Sequence, residues 1–278
     1  MNAPLDPHGL LPAVQSGELK VMRQSTMGSF DICMRRAGYD IQPGRPRTSG
    51  EARCVGTSYH GGLEQYYTAR RDGTITTPAL VHEQAYACFQ AEAGLFDEWD
   101  TSKGEAWGRV VEMLDRYFQN GWHWGVDHEV VGVEWEWYLP LSPGWAVKGS
   151  IDLLLMGPEG YVGVDHKTAG RMWPAGKELP RKQNQSPMYT WAIWQLLDEL
   201  PYGFAFDVHT YAGKFDRRWT RPTPSHMQRV IEKAQAMALI FDTIPSDQLP
   251  PNPTSNLCSA KYCDHFSVCP MGQAGEAA

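Results

Sequence analysis

The 278-residue chain has no apolar run of about 18 residues, the least a bilayer-crossing helix needs. Its opening stretch, MNAPLDPHGLLPAVQSGELK, has neither a basic leading segment nor a sustained apolar one. These absences argue against a membrane span and a secretory leader, and make the cytoplasm the expected location. No G-x-x-x-x-G-K-[ST] loop occurs, so the chain carries no ATP-driven motor of that kind, and no internal repeat points to a solenoid. A surplus of cationic side chains is also missing: the net charge is −7. That argues against a protein that coats nucleic acid by neutralising phosphates, though a nuclease survives it, because metal sites gather carboxylates and a cleft can be locally basic. Six cysteines without a secretory leader do not suggest a disulfide framework. Three of them crowd the C-terminus, a placement that invites metal or cluster ligation.

What is present divides into four stretches. Residues 1–20 are rich in small residues and proline and read as a flexible leader. Residues 21–125 hold Cys33 and a helical subdomain, in which GLEQYYTAR, HEQAYACFQAEAGLF and EAWGRVVEMLDRYFQ each place apolar residues at three- and four-residue spacing. Residues 126–245 form the core. Val131, Val133, Trp135 and Trp137 alternate as in a half-buried strand, and AVKGSIDLLLMG, the turn GPEG and YVGVDHKTA complete a three-stranded meander. The spacing of Tyr189, Ile193 and Leu197 predicts a helix over roughly 181–200, followed by a strand near GFAFDVHTYA and a helix near SHMQRVIEKAQAMALIFDTI. Residues 246–278 are a proline-rich connector that cannot be helical and a cysteine cap. Cys54 and Cys88 read as ordinary buried thiols, and the Trp-dense stretch of Trp122, Trp124, Trp135 and Trp137 as core packing, with base stacking as the alternative.

The most informative residues lie on two adjacent strands, Gly149-Ser150-Ile151-Asp152 and Val164-Asp165-His166-Lys167. Asp165 and Lys167, two apart, share one side of their strand while His166 points away, and Asp152 can reach the same point from its neighbour. Two carboxylates suit Mg2+ or Mn2+, which would activate a water against a phosphodiester, and Lys167 would position or deprotonate that water or offset charge in the transition state. A D-x-K triplet is short and frequent, so from these residues alone a strand end and a surface ion pair are the stronger reading.

Motif order extends the reading. Gly56-Thr57-Ser58-Tyr59-His60 with Glu64, then Glu134, Gly149 to Asp152, Asp165 with Lys167, and Gln185-Ser186-Pro187-Met188-Tyr189 resemble, in sequence, the RecB-like branch of the PD-(D/E)XK nucleases over about 28–270. The resemblance implies an α/β fold, a restriction-endonuclease-like core of a small mixed sheet flanked by helices, with the helical subdomain and cysteine cap appended. It also implies metal ligation by His60, Asp152, Asp165 and the backbone carbonyl of His166, catalysis centred on Asp152, Asp165 and Lys167, and substrate positioning by Gln185 and Tyr189. Pro187 departs from a simple helix there, unless the helix starts near Gln185 and leaves Gln183 or Ser186 as the polar contact.

By the same resemblance Cys33, Cys258, Cys263 and Cys269 ligate a [4Fe–4S] cluster, as in AddB-type and CRISPR-associated exonucleases. The C-x4-C-x5-C-P spacing differs from that family's C-x2-C-x5-C, and zinc, with His265 substituting for one thiol, is the competing occupant. Two basic clusters, Arg171, Lys177, Arg181 and Lys182, and Lys214, Arg217, Arg218 and Arg221, read as solvated faces, with Arg181 and Lys182 the candidate DNA contacts. The expected activity is a Mg2+- or Mn2+-dependent deoxyribonuclease, an exonuclease on DNA ends or single strands, in recombination, repair or CRISPR spacer capture alongside the proteins of those processes. A non-catalytic DNA-end-binding or assembly subunit, or a zinc-capped structural protein, are the alternatives.

Overall fold

The computed structural model describes residues 4–42, 44 and 49–275, with the backbone alone at 177, 180 and 273–275. In chain order the elements are α1 (Leu11–Ser16), β1 (Lys20–Arg23), α2 (Gln24–Ile32), α3 (Met34–Asp40), α4 (Glu51–Arg71), α5 (Pro78–Ala93), α6 (Lys103–Gln119), β2 (Glu129–Ser142), β3 (Trp145–Gly157), β4 (Gly160–Ala169), α7 (Leu179–Lys182), α8 (Gln185–Leu197), β5 (Gly203–Thr210), β6 (Phe215–Thr220), α9 (Pro224–Thr243) and α10 (Pro270–Gly275). The strands form one mixed sheet in the order β1-β3-β4-β5-β6, with β2 also paired to β3. β3 and β4 are antiparallel, β4 and β5 parallel, β5 and β6 antiparallel.

Two compact units emerge, and they divide the chain differently from the four stretches read in the sequence. Of the described residues, the first gathers residue 4 and those within 49–136 and 150–223; the second gathers those within 5–44, 137–149 and 224–275. Cys33 and the helical subdomain therefore fall in different units. Residues 11–16, within the stretch read as a leader, form α1, and residues 1–3 lie outside the described residues.

In the first unit, α4 buries Val55, Tyr59, Leu63 and Tyr67 at four-residue spacing against Leu153, Leu155, Val162, Val164 and Ala205 of the sheet. Fully burying side chains of this size contributes about 1.5–3 kcal/mol each. Gly61 lets α5 come close: a Cβ there would stand 2.5 Å from Cys88 Sγ. α6 opens on a capping box, in which Ser102 Oγ accepts from Glu105 N–H and Glu105 Oε2 accepts from Ser102 N–H. On the opposite face α8 packs Ile193 over Gly163 and Tyr189 against Phe204. The expected helix over 181–200 is two pieces, α7 and α8. Because α8 begins at Gln185, Pro187 sits in its first turn, where the missing N–H costs no helical bond. Gln183 Oε1 instead accepts the N–H groups of Gln185 and Ser186.

In the second unit, β1 runs parallel to residues 145–148 of β3, and α9 packs Phe241 against Phe30 while its Asp242 accepts from Trp145 Nε1 at 2.9 Å. The proline-rich connector is irregular, as its composition requires. It is tied to α2 and α3 by Arg35 Nε donating to Leu249 O (2.7 Å) and Asn252 Nδ2 donating to Ile32 O (2.8 Å).

Candidate active site

The site of the first unit rests on β2, β3 and β4 with α4 and α8 beside them. Asp152 and Asp165 flank the paired residues Leu153 and Val164 of the β3–β4 ladder. Donor atoms of His60, Glu134 and Asp152 all lie within 4.8 Å of one another. His60 Nδ1 is 3.4 Å from Asp152 Oδ2, and the same oxygen accepts the backbone N–H of His166 at 2.7 Å. Asp165 is buried and doubly held, its Oδ2 2.5 Å from Lys167 Nζ and its Oδ1 accepting from Gln185 Nε2. Tyr189, buried one turn further along α8, hydrogen-bonds to Gln185. His60, Asp152, Asp165, Lys167, Gln185 and Tyr189 are thus brought together.

Glu134 stands out by its backbone. It is one of two non-glycine residues with positive φ among the described residues, at φ 44° in the middle of β2. A left-handed residue costs about 1–2 kcal/mol outside glycine, and such a conformation in a strand turns the side chain off its alternating course. Here it delivers the carboxylate to His60 and Asp152, with Ser150 Oγ donating to Glu134 Oε2 at 3.2 Å. Glu134 entered the sequence reading only through motif order; in the structure consecutive burial at Gly132 and Val133 breaks the alternation there, and no hydropathy pattern reveals it.

The carboxylates crowd one another. Burial first, and then Asp152 and Glu64, push the Glu134 carboxyl up to about 8. Burial likewise lifts Asp165 to about 6 against the pull of Lys167. Burial would lower the Lys167 ammonium, but Asp165 and Asp152 more than offset it and hold the group above its ordinary range.

The His166 side chain points away, as the strand alternation predicts. It is buried between Tyr67 and Tyr117, with neither ring nitrogen hydrogen-bonded among the described residues and Nδ1 3.9 Å from Asp207 Oδ2. Burial pulls its imidazole down to about 4. Asp207 is the anchor behind the site: Arg217 grips it twice, at 2.7 and 2.9 Å, and Trp124 Nε1 donates to it at 3.2 Å. Arg217, read as part of a solvated basic face, is instead committed to this buried carboxylate. Arg218 pairs with Asp216, and Arg221 lies over the Tyr202 ring. Arg181 and Lys182 are exposed on α7, Lys182 paired with Glu178, while the Lys177 side chain lies outside the described residues. Trp124, Trp135 and Trp137 are buried and Trp122 stacks on Phe215, so this stretch packs the interior. An open groove of about 940 Å3 runs along α4, where Arg53, Thr57, His60, Glu64, Thr68 and Arg71 share one face, and it includes Glu134.

In the second unit, Cys33, Cys258, Cys263 and Cys269 are free thiols that line a single cavity with His265 and Arg36. Cys263 accepts the backbone N–H of His265. Cys54 is buried in the other unit and Cys88 is half-buried against Gly61, so neither joins the cap. No described helix is long and apolar enough to cross a membrane.

No protein of curated function matches the chain. Among solved structures, a "Putative exonuclease" from Eubacterium rectale aligns over 92% of this chain and 93% of its own, at TM-score 0.56 and 13% identity, a likeness of fold. SSO0001 aligns over 89% and 96% at 13% identity, with a TM-score of 0.37. Residues 24–270 match the family model described as the PD-(D/E)XK nuclease superfamily. Spanning both the acidic centre and the cysteine cap, that match makes the chain a member of the PD-(D/E)XK nuclease superfamily.

Proposed function

We propose that the chain is a Mg2+- or Mn2+-dependent deoxyribonuclease of the RecB-like branch, acting as an exonuclease on DNA ends or single strands. One observation carries the reading: the donor atoms of His60, Glu134 and Asp152 converge beside the Asp165–Lys167 pair. Carboxylate oxygens and an imidazole suit a divalent cation, and carboxyls pushed upward by burial and mutual repulsion mark a site short of positive charge. When bound, the cation supplies charge that polarises a phosphate oxygen and acidifies a water.

The remaining roles belong to the protein's own groups. His60, Glu134 and Asp152 hold the ion, with Asp165 and the His166 carbonyl added by the family resemblance. The His166 N–H fixes the Asp152 carboxylate, and Gln185 and Lys167 fix Asp165 from two sides. Lys167, kept protonated by its acidic neighbours, orients the attacking water and offsets phosphate charge rather than taking a proton. Tyr189 steadies Gln185, Arg181 and Lys182 meet the DNA backbone, and the groove along α4 receives the strand. The setting is recombination, repair or CRISPR spacer capture in the cytoplasm, with protein partners from those processes.

The four cap thiols fit a [4Fe–4S] cluster. The family resemblance favours a cluster over zinc, and such a group would hold α2, α3 and the C-terminal segment together.

The test is degradation of end-labelled linear and of circular DNA in Mn2+. Wild type should degrade the linear substrate and spare the circle, and Lys167→Met should lower the rate by about 10²–10³. Unchanged rates in Asp165→Ala and Lys167→Met would remove the catalytic assignment; cleavage of the circle would make the enzyme an endonuclease.

A further inference from the structure

We propose that Arg53 and Arg71, at the two ends of the groove along α4, each hold a phosphate of one DNA strand, on opposite sides of the phosphodiester to be cut. The inference rests on the nuclease reading of the acidic centre and adds to it the register of the strand and the size of the product.

The groove wall repeats inward from both ends. Arg53, Thr57, His60, Glu64, Thr68 and Arg71 follow one another at intervals of three or four residues, which keeps all six on one face of α4. From either end the order is an arginine, a threonine one turn further in, and then His60 or Glu64 beside the acidic centre. At 1.5 Å per residue, Arg53 stands about 10 Å along the helix from His60 and Arg71 about 16 Å beyond it in the other direction.

Charge decides where a phosphate backbone can be held. Glu64, Glu134 and Glu136 bring carboxylates to the middle of the groove, and among the described residues Arg53 and Arg71 are the only Lys or Arg that line it. A polyanion is therefore attracted at the two ends and repelled between them, except where a cation sits. Neighbouring arginines are spent on the protein itself. Arg70 donates to the backbone carbonyls of Trp124, Gly125 and His128, and Arg109 to buried Glu51 at 2.6 Å. Arg53 and Arg71 are held more loosely. The Arg53 side chain is 42% exposed and 3.4 Å from Glu92, and Arg71 donates to the exposed Asp72 at 2.8 and 3.2 Å. Surface pairs of this kind contribute little, and a guanidinium carries five donors, more than one carboxylate takes. Each arginine can thus present a fork to a phosphate, with the hydroxyls of Thr57 and Thr68 one turn nearer the cut.

At about 3.4 Å per nucleotide these offsets match phosphates roughly three and five nucleotides from the cut, and a stretched strand draws both nearer. A strand gripped on both sides leaves as a product of a few nucleotides, not as a mononucleotide. The full chain in Mn2+ is tested on end-labelled single-stranded oligonucleotides, each carrying one uncharged methylphosphonate at a successive phosphate on either side of the cut. Wild type should release short oligonucleotides and lose roughly tenfold in kcat/KM when the methylphosphonate falls at either of two positions, one on each side. Arg53→Ala and Arg71→Ala should each raise KM by roughly tenfold with little change in kcat, and each should abolish the methylphosphonate penalty on one side only. Arg229→Ala, exposed on α9, should change neither, which controls for net charge. Should either variant misfold, the wild-type scan still reads both positions. Release of mononucleotides, penalties confined to one side, or penalties that persist in both variants overturn the inference and leave the nuclease standing. A wild-type protein that cleaves no DNA overturns the nuclease reading, and this inference with it.

Discussion

Replacing Arg217 by Met tests whether the anchor behind the site is structural or a DNA contact. Asp207 is 1% exposed, and its two oxygens take both Arg217 bonds and the Trp124 indole. Removing the guanidinium strands a buried carboxylate, a change that costs about 3–5 kcal/mol. Lost packing adds to it, because the guanidinium lies 3.7 Å from the Trp124 ring centroid. With a urea dependence of about 2–3 kcal/mol per molar, the unfolding midpoint should fall by roughly 1–2 M. Tryptophan fluorescence reports it, since Trp124 and Trp122 both touch Arg217. Asp207→Asn in the same chain should return much of the loss, because the stranded charge is then gone, and the two effects should be strongly non-additive. DNA affinity and its salt dependence should not change when measured below the unfolding transition. A loss under about 1 kcal/mol, or a reduced salt slope, would refute the reasoning and return Arg217 to the DNA-facing surface.

Three further outcomes follow. His166, pulled down to about 4 by burial, binds fewer protons folded than unfolded; its stabilisation is complete above pH 6.5 and is lost as pH falls from there toward 4, on the order of 3 kcal/mol. His166→Gln, unfolded in urea across that window with chelator present, should lose less stability on acidification than wild type. Glu134→Gly should raise the melting temperature of the metal-free protein, by relieving a left-handed backbone worth about 1 kcal/mol or more and a crowded carboxylate, and should abolish the Mn2+-dependent rise that the proposed site predicts for wild type. Gly61→Ala should cost about 1–3 kcal/mol through Cys88, and Cys88→Ala should restore most of it in a double-mutant cycle by chemical denaturation.

Much of the core was legible because its signals are local. The alternation through Val133, Trp135 and Trp137 marked β2, the GPEG turn marked the β3–β4 hairpin, and two-residue spacing placed Asp165 with Lys167 and turned His166 inward. What escaped was short or non-local. β1 is four residues that acquire a strand's identity by pairing in parallel with residues 125 positions away, and β6, FDRRWT, hides its register beneath charges. Arg217 looked solvated because its partner, Asp207, is buried ten residues earlier, and charge content alone does not reveal such a pairing. The turn at Glu134 is a backbone conformation, which side-chain hydropathy does not encode.

The crowded carboxyls have a thermodynamic consequence. With the Glu134 carboxyl pushed up to about 8 and Asp165 to about 6, the metal-free protein at neutral pH would keep roughly one proton that an ordinary carboxylate pair loses. If the centre takes a divalent ion as proposed, ion and proton would compete for the same oxygens, each ion entering would expel acid into the medium, and affinity for the ion would climb with pH until Glu134 is ionised. Such a centre would exchange cation for hydrogen ion, and a drop in local proton activity would arm it much as a rise in the ion's concentration does.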